Sequence, residues 1–154
     1  MAHPEPTQPD HDLNAYVFDR SLDVVYPDGS KTSNFIDLYK RGCFVLETKQ
    51  GVEQREEAAL SGARRASLKK LKKGHGVRGT AVWDTAMIAA KGQAEGYVHA
   101  LPASEGRPPF VVVVDVGYSI ELYSEFTRTG GNYVHFPDPR THRLTMVNAG
   151  HLPP

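Results

Sequence analysis

Apolar positions along the chain fall into short runs separated by turn residues, with one longer stretch at helical spacing between them. Residues 1–14 carry Pro4, Pro6 and Pro9 and almost no large apolar side chain, so they read as a flexible arm. Ala15–Phe18 and Leu22–Tyr26 hold enough apolar content for a short helix or strand, ended by the turn signal Pro27-Asp28-Gly29. Two β-rich segments follow, Phe35–Tyr39 and Cys43–Lys49, around Lys40-Arg41-Gly42, which suits a tight hairpin with Gly42 at positive φ. Glu53–Leu60 has a helical pattern. Thr80–Leu101 then places Ala81, Val82, Met87, Ile88, Ala89 and Ala90 at spacings a helix can bury. Its interior glycines, Gly92 and Gly96, each cost about 1 kcal/mol, which predicts that the helix packs closely on a sheet there.

Beyond Pro102 the period shortens. Phe110–Asp115 is a continuous apolar run bounded by turn residues, the pattern of a strand buried on both faces. Ser119–Phe126 is expected as its partner, with Ile120, Leu122 and Tyr123 supplying the apolar positions. Asn132–Phe136 and Arg143–Val147, around Pro137-Asp138-Pro139, predict one more hairpin. Hairpin, strand, helix, central strand, strand is an α/β order: a mixed central sheet flanked by helices. A parallel pairing of the Cys43–Lys49 and Phe110–Asp115 strands would be joined by a right-handed helical crossover.

Length and composition narrow the class. With 154 residues, 40% hydrophobic and 23% charged, the chain suits one soluble domain, here residues 15–150. One cysteine, Cys43, closes no intrachain disulfide, and a reducing cytoplasm is the default expectation. Apolar runs such as Val111–Val114 fall far short of the roughly 18 residues a membrane span needs, and the start lacks signal-peptide regions.

Formal net charge is zero, yet the charges are segregated. Between residues 1 and 30 six acids face one base, Arg20. Between residues 61 and 78 there are seven bases and no acid: Arg64, Arg65, Lys69, Lys70, Lys72, Lys73 and Arg78. Such a block is either a solvated face or a phosphate-binding surface, with His75 as a further phosphate contact. A polyanion's phosphate is the candidate partner on the second reading.

Candidate chemistry sits in the hairpin. Residues two apart on a strand share a face, so Glu47 and Lys49 project together, and Asp37 on the preceding strand can lie across from them. Two carboxylates and the Thr48 carbonyl are hard oxygen donors suited to Mg²⁺ or Mn²⁺. A cation held there would activate water and neutralise a scissile phosphate, with Lys49 orienting the water or offsetting transition-state charge. The plain alternative is an exposed Glu47–Lys49 ion pair worth at most about 1 kcal/mol.

Asp37, nine intervening residues and Glu47-Thr48-Lys49 together resemble the PD-(D/E)xK nuclease motif. With the flanking Phe35-Ile36-Asp37-Leu38 and Phe44-Val45-Leu46-Glu47, the pattern is similar to the N-terminal endonuclease domain of MmeI-like type IIL restriction-modification enzymes. Gln93-Ala94-Glu95-Gly96-Tyr97 resembles the Q-x3-Y element of the RecB-like branch, with both side chains on one helix face. The resemblance covers roughly residues 33–126. It implies a restriction-endonuclease-like, nuclease-type domain that is a metal-dependent deoxyribonuclease. Asp37, Glu47 and Thr48 would serve as metal ligands, Lys49 as the catalytic lysine, and Gln93 and Tyr97 as supports near the water or the DNA backbone. It also implies a methyltransferase and a target-recognition region in a parent chain, and self-association for double-strand cleavage. Glu5 is the only glutamate before Asp37, whereas many relatives place a helical glutamate there.

The seven histidines contain no H-x3-H pair, which argues against zinc. Asp115 is expected to cap the turn after its strand, and Trp83 and Tyr118 to pack in or beside the core. A rival from another class is a non-catalytic nucleic-acid-binding or assembly module on the same fold.

Overall fold

The computed structural model describes residues 15–51 and 76–146. The expected arm, the Glu53–Leu60 helix and the basic residues from Arg64 to His75 lie outside the described residues.

The ambiguous segment after the arm is a strand, β1 (Tyr16–Val25), which returns through a turn at Tyr26–Ser30 into β2 (Lys31–Lys40). Gly42, at φ +68, turns β2 into β3 (Phe44–Lys49), and the Cys43 N–H donates to the Lys40 carbonyl at 3.0 Å. A left-handed residue at that point is where glycine is favoured.

Helix α1 (Ala81–Ala100) starts where Thr80 accepts a hydrogen bond from the Trp83 N–H, with Asp84 in its first turn, and it stops before Pro102. Trp83, Ala86, Met87, Ala90, Ala94, Tyr97 and Val98 recur at helical spacing and are buried. That stripe packs on β3 and on β4 (Phe110–Asp115). A short 3₁₀ turn at Ala103–Glu105 precedes β4 and is tied to the hairpin by Arg20 and Tyr39, both bonded to the Glu105 carboxylate. The sheet continues through β5 (Ser119–Ser124), β6 (Val134–His135) and β7 (Arg143–Thr145).

Strand order is β1-β2-β3-β4-β5-β6, with β7 also on β5. Among the described residues only β3 and β4 pair in parallel, as expected, in a register that sets Glu47 beside Val113 and Lys49 beside Asp115. The remaining pairs are antiparallel, so the sheet is mixed.

Of the apolar positions expected to be buried along α1, Met87 and Ala90 are, whereas Ala81, Val82, Ile88 and Ala89 are exposed, because the face turned to the sheet is the one that carries Trp83, Ala94 and Val98. Four further expectations need correction. First, β4 is not buried on both faces among the described residues: Val111, Val113 and Asp115 are buried beneath α1, while Phe110, Val112 and Val114 are half-buried. Second, the inward face of β5 is Ser119, Glu121 and Tyr123, and Ile120 faces out. Glu121 can take an inward position because Tyr123 and Arg143 hydrogen-bond its carboxylate, whereas the buried Ser119 hydroxyl has no hydrogen-bond partner among the described residues. Third, β6 and β7 form no hairpin with each other. Each pairs separately with β5, β6 at Tyr123–Ser124 and β7 at Ser119–Glu121. Fourth, a Cβ added at Gly92 or Gly96 would meet nothing within 4 Å, so close sheet packing does not account for either glycine.

Candidate functional site: a carboxylate and lysine centre beside the hairpin

Pairing between β2 and β3 runs from Lys40–Phe44 to Leu38–Leu46 and then stops. One further step would set Asp37 against Glu47. There β2 loses its strict alternation: its fully buried residues, Ile36 and Tyr39, are three apart. The β1 ladder also skips this level, where Asp19 has φ +47, a conformation an aspartate tolerates better than most residues. The Asp37 carboxylate instead accepts from both the Thr48 N–H and the Thr48 hydroxyl, each at 2.6 Å. In an extended chain the N–H and C=O of one residue leave on the same side, so the Thr48 carbonyl leaves β3 on the side of Asp37.

From Glu47 a relay of hydrogen bonds crosses to the helix. The Lys49 ammonium donates to Glu47 Oε1 at 2.8 Å and to Gln93 Oε1 at 3.2 Å, and the Gln93 amide donates to the Tyr97 oxygen at 2.5 Å. Gln93 and Tyr97 share a face of α1 one turn apart, which is what lets one amide serve both ends of the relay. The five residues Asp37, Glu47, Lys49, Gln93 and Tyr97 are thus brought to one end of the hairpin under one helix.

Glu47 is 4% exposed, and burial pushes its carboxyl above the usual range; the bond from Lys49 works against that shift, while the charge of Asp37 adds to it. Burial likewise raises Tyr97, opposed by the Gln93 bond. Oε2 of Glu47 is buried and has no hydrogen-bond partner. A buried carboxylate oxygen without a donor costs the free energy of its lost hydration, and a divalent cation would satisfy it. The donor set therefore fits a hard cation: Glu47 Oε2, Asp37 and the Thr48 carbonyl. Among the described residues no three His, Cys, Asp or Glu side chains are placed to hold a metal ion together.

Next to Lys49, Asp115 does more than cap a turn. It is fully buried and accepts from the Gly51 N–H at 3.1 Å, from Arg78 at 2.7 and 2.9 Å, and from the Trp83 indole N–H at 2.8 Å. These donors outweigh its burial and hold its carboxyl below the ordinary range. A Cβ at Gly51 would come within 2.6 Å of the Asp115 carboxylate, and one at Gly76 within 2.6 Å of the Trp83 backbone, so both glycines admit a close approach. Arg78 also donates to the Val116 carbonyl and lies over the Tyr118 ring. Its guanidinium is thus committed to the end of the sheet, unlike the free phosphate contact expected of it. Trp83 and Tyr118 pack edge to face at 5.4 Å, as packing residues.

Asp115 ends a parallel strand, a place where acids in α/β sheets often matter, and that position was the legible signal. The Thr48 hydroxyl grip on Asp37 had no signal in the spacing. Nor did the buried Glu121, although alternation along β5 places it on the same face as Tyr123.

What these elements define is an α/β domain in which a mixed sheet and one crossing helix assemble a carboxylate pair, a lysine and a glutamine–tyrosine relay. The chain matches the family model described as MmeI, N-terminal domain, over residues 2–147, and belongs to that family. It is a restriction-enzyme-related domain. No curated protein matches the chain, and no solved structure does. No described helix is long and apolar enough to cross a membrane.

Proposed function

We propose that this domain is a metal-dependent DNA endonuclease domain of PD-(D/E)xK type, acting in the cytoplasm and hydrolysing phosphodiester bonds with water. The observation that carries the reading is the Glu47 carboxylate, buried with one oxygen on Lys49 and the other on nothing. Mg²⁺ or Mn²⁺ held by Glu47, Asp37 and the Thr48 carbonyl would supply electrostatic stabilisation of the phosphate and a more acidic water.

The protein's own groups divide the remaining work. Thr48 fixes Asp37 through two hydrogen bonds, so that carboxylate is oriented before any ligand arrives. Glu47 and Gln93 hold the Lys49 ammonium between strand and helix, where it orients the attacking water and offsets the charge that builds on the phosphate oxygens. Gln93 takes its own orientation from Tyr97. The new bond joins the water oxygen to phosphorus, one ester P–O bond breaks, and the departing oxygen takes up a proton. The cations from Arg64 to Lys73 supply backbone phosphate contacts without reading bases. Methyltransferase and target-recognition regions in a parent chain, and a second copy for double-strand cleavage, are the partners this reading implies.

A calorimetric titration of the full chain with Mn²⁺, paired with plasmid nicking, tests it. Uptake by the wild type, none by Glu47→Gln, and nicking reduced about 100- to 1,000-fold in Lys49→Met with uptake retained are the expected results. A non-catalytic DNA-binding module is the second reading, favoured by the two-carboxylate donor set. DNA retention with neither metal uptake nor nicking would establish it in place of the nuclease.

A further inference from the structure

Beside the carboxylate and lysine centre lies a cavity of about 270 Å³, lined by Val24, Tyr26, Asn34, Gln93, Gly96 and Tyr97. Gln93 and Tyr97 are the helix end of the relay from Lys49, so cavity and centre share a wall. The remaining lining comes from the far end of the β1–β2 hairpin. There the Tyr26 N–H donates to the Ser30 carbonyl at 2.9 Å, which fixes the backbone that carries the ring. Tyr26 is 45% exposed.

Two features call for an occupant. Glycine inside a helix weakens it, and at Gly96 an added Cβ would meet nothing, so no packing contact requires its absence. Gly96 lines this cavity, and a large side chain in its place would take up the open space there. The lining among the described residues, moreover, carries aromatic, amide, phenol and aliphatic groups and no formal charge. Phosphate has no reason to enter it, since anions bind where cations and N–H donors converge.

We infer that the cavity receives the nucleoside of the nucleotide whose phosphate is held at the Asp37–Glu47–Lys49 centre, with the base against Tyr26 and its polar edge or sugar on Asn34. This rests on the nuclease reading and extends it to the body of the substrate. A nucleotide is an anionic group joined to a neutral aromatic one, and the charged centre and the uncharged cavity beside it match that division. The volume lies just below the roughly 300–1,000 Å³ of drug-sized pockets, enough for one nucleoside and too little for a base pair. The base next to the bond therefore leaves the stack, which single strands and frayed ends permit more readily than intact duplex.

Fluorescence anisotropy of the full chain with two labelled ligands of equal length, a thymidine oligonucleotide and the same phosphate chain made entirely of abasic units, isolates the base contribution. Ca²⁺ replaces Mg²⁺ to hold turnover. Wild type is expected to prefer thymidine about ten-fold, the scale of base–aromatic stacking. Tyr26→Ala and Gly96→Leu should bind both ligands alike, whereas Tyr26→Phe and Gly96→Ala keep the preference. Mn²⁺ uptake retained in all four variants shows that fold and centre survive. Equal binding of both ligands by wild type, or a preference that persists in Tyr26→Ala and Gly96→Leu, overturns the inference. Absence of Mn²⁺ uptake by wild type overturns the nuclease reading instead, and the anisotropy comparison reads independently of it.

Discussion

A carboxylate that burial pushes toward its protonated form opposes folding at neutral pH, because the folded state holds its proton more tightly than the unfolded chain does. Glu47 is such a group, raised from a usual value of 4.5 chiefly by burial. Its contribution to stability is fully present below about pH 4.5, where both states are protonated, and is lost as pH rises through the folded value. Glu47→Gln removes that titration and leaves an amide oxygen for Lys49. Without divalent ions the variant should melt above wild type at neutral pH, and the difference should close on acidification toward pH 4. Added Mn²⁺ should raise the melting temperature of wild type alone. Thermal melts across pH, with EDTA or with Mn²⁺, read both effects, and a variant that melts lower than wild type in EDTA at neutral pH would contradict the argument. The same residue illustrates why a site is less stable than the fold around it: an oxygen kept for a ligand is an oxygen the fold leaves unsatisfied.

Helix α1 serves two surfaces, and its glycines separate them. Gly92 and Gly96 both have open space where a Cβ would go, but only Gly96 lines the cavity. Gly92→Ala should therefore stabilise the protein by about 0.5–1 kcal/mol, visible as a shifted midpoint in urea with unchanged slope, and should leave nucleotide preference alone. The sequence made the existence of α1 and its ends at Thr80 and Pro102 legible, but not its buried face, which runs at 3.6-residue spacing from Trp83 to Val98 and leaves Val82 and Ile88 outside. The β2–β3 hairpin was legible through Gly42, and the parallel β3–β4 pairing through the helix that must cross between them. Glu47 and Lys49 followed from strand periodicity, since both lie on one short regular strand. Other features depend on partners distant in sequence. Asp37 turns to Thr48 where the ladder breaks, Asp115 gathers donors from Gly51, Arg78 and Trp83, and Glu121 lies inward because Arg143 reaches it from β7. Likewise β6 and β7 look like a hairpin by spacing, yet the free edge of β5 offers each of them a longer partner than they offer each other.

At the scale of the whole molecule, one buried carboxylate links the candidate site to the basic stretch of the chain. Asp115 takes the N–H of Gly51, two residues past Lys49, and the guanidinium of Arg78, so residues 51 and 78 meet at one side chain. Residues 61–77, which lie between them in sequence, carry six bases and no acid, although the protein as a whole carries no net charge. Of the seven bases between residues 61 and 78, Arg78 is paired with Asp115, and the proposed phosphate contacts fall to the other six. Each phosphate neutralised on duplex DNA contributes about −0.9 to the slope of log K against log salt. On the proposed reading six contacts predict a slope near −5, the same for unrelated sequences, because contacts to the phosphate backbone carry no sequence information. Replacing Arg64, Arg65, Lys69, Lys70, Lys72 and Lys73 by Ser should flatten the slope toward zero and abolish retention at physiological salt, while Mn²⁺ uptake at Glu47 persists. Filter binding over a salt series measures the slope directly. A slope that stays steep after those six substitutions would place the DNA-binding charge elsewhere on the molecule, and a slope near −1 in the wild type would mean that the segment is a solvated face and no phosphate track at all.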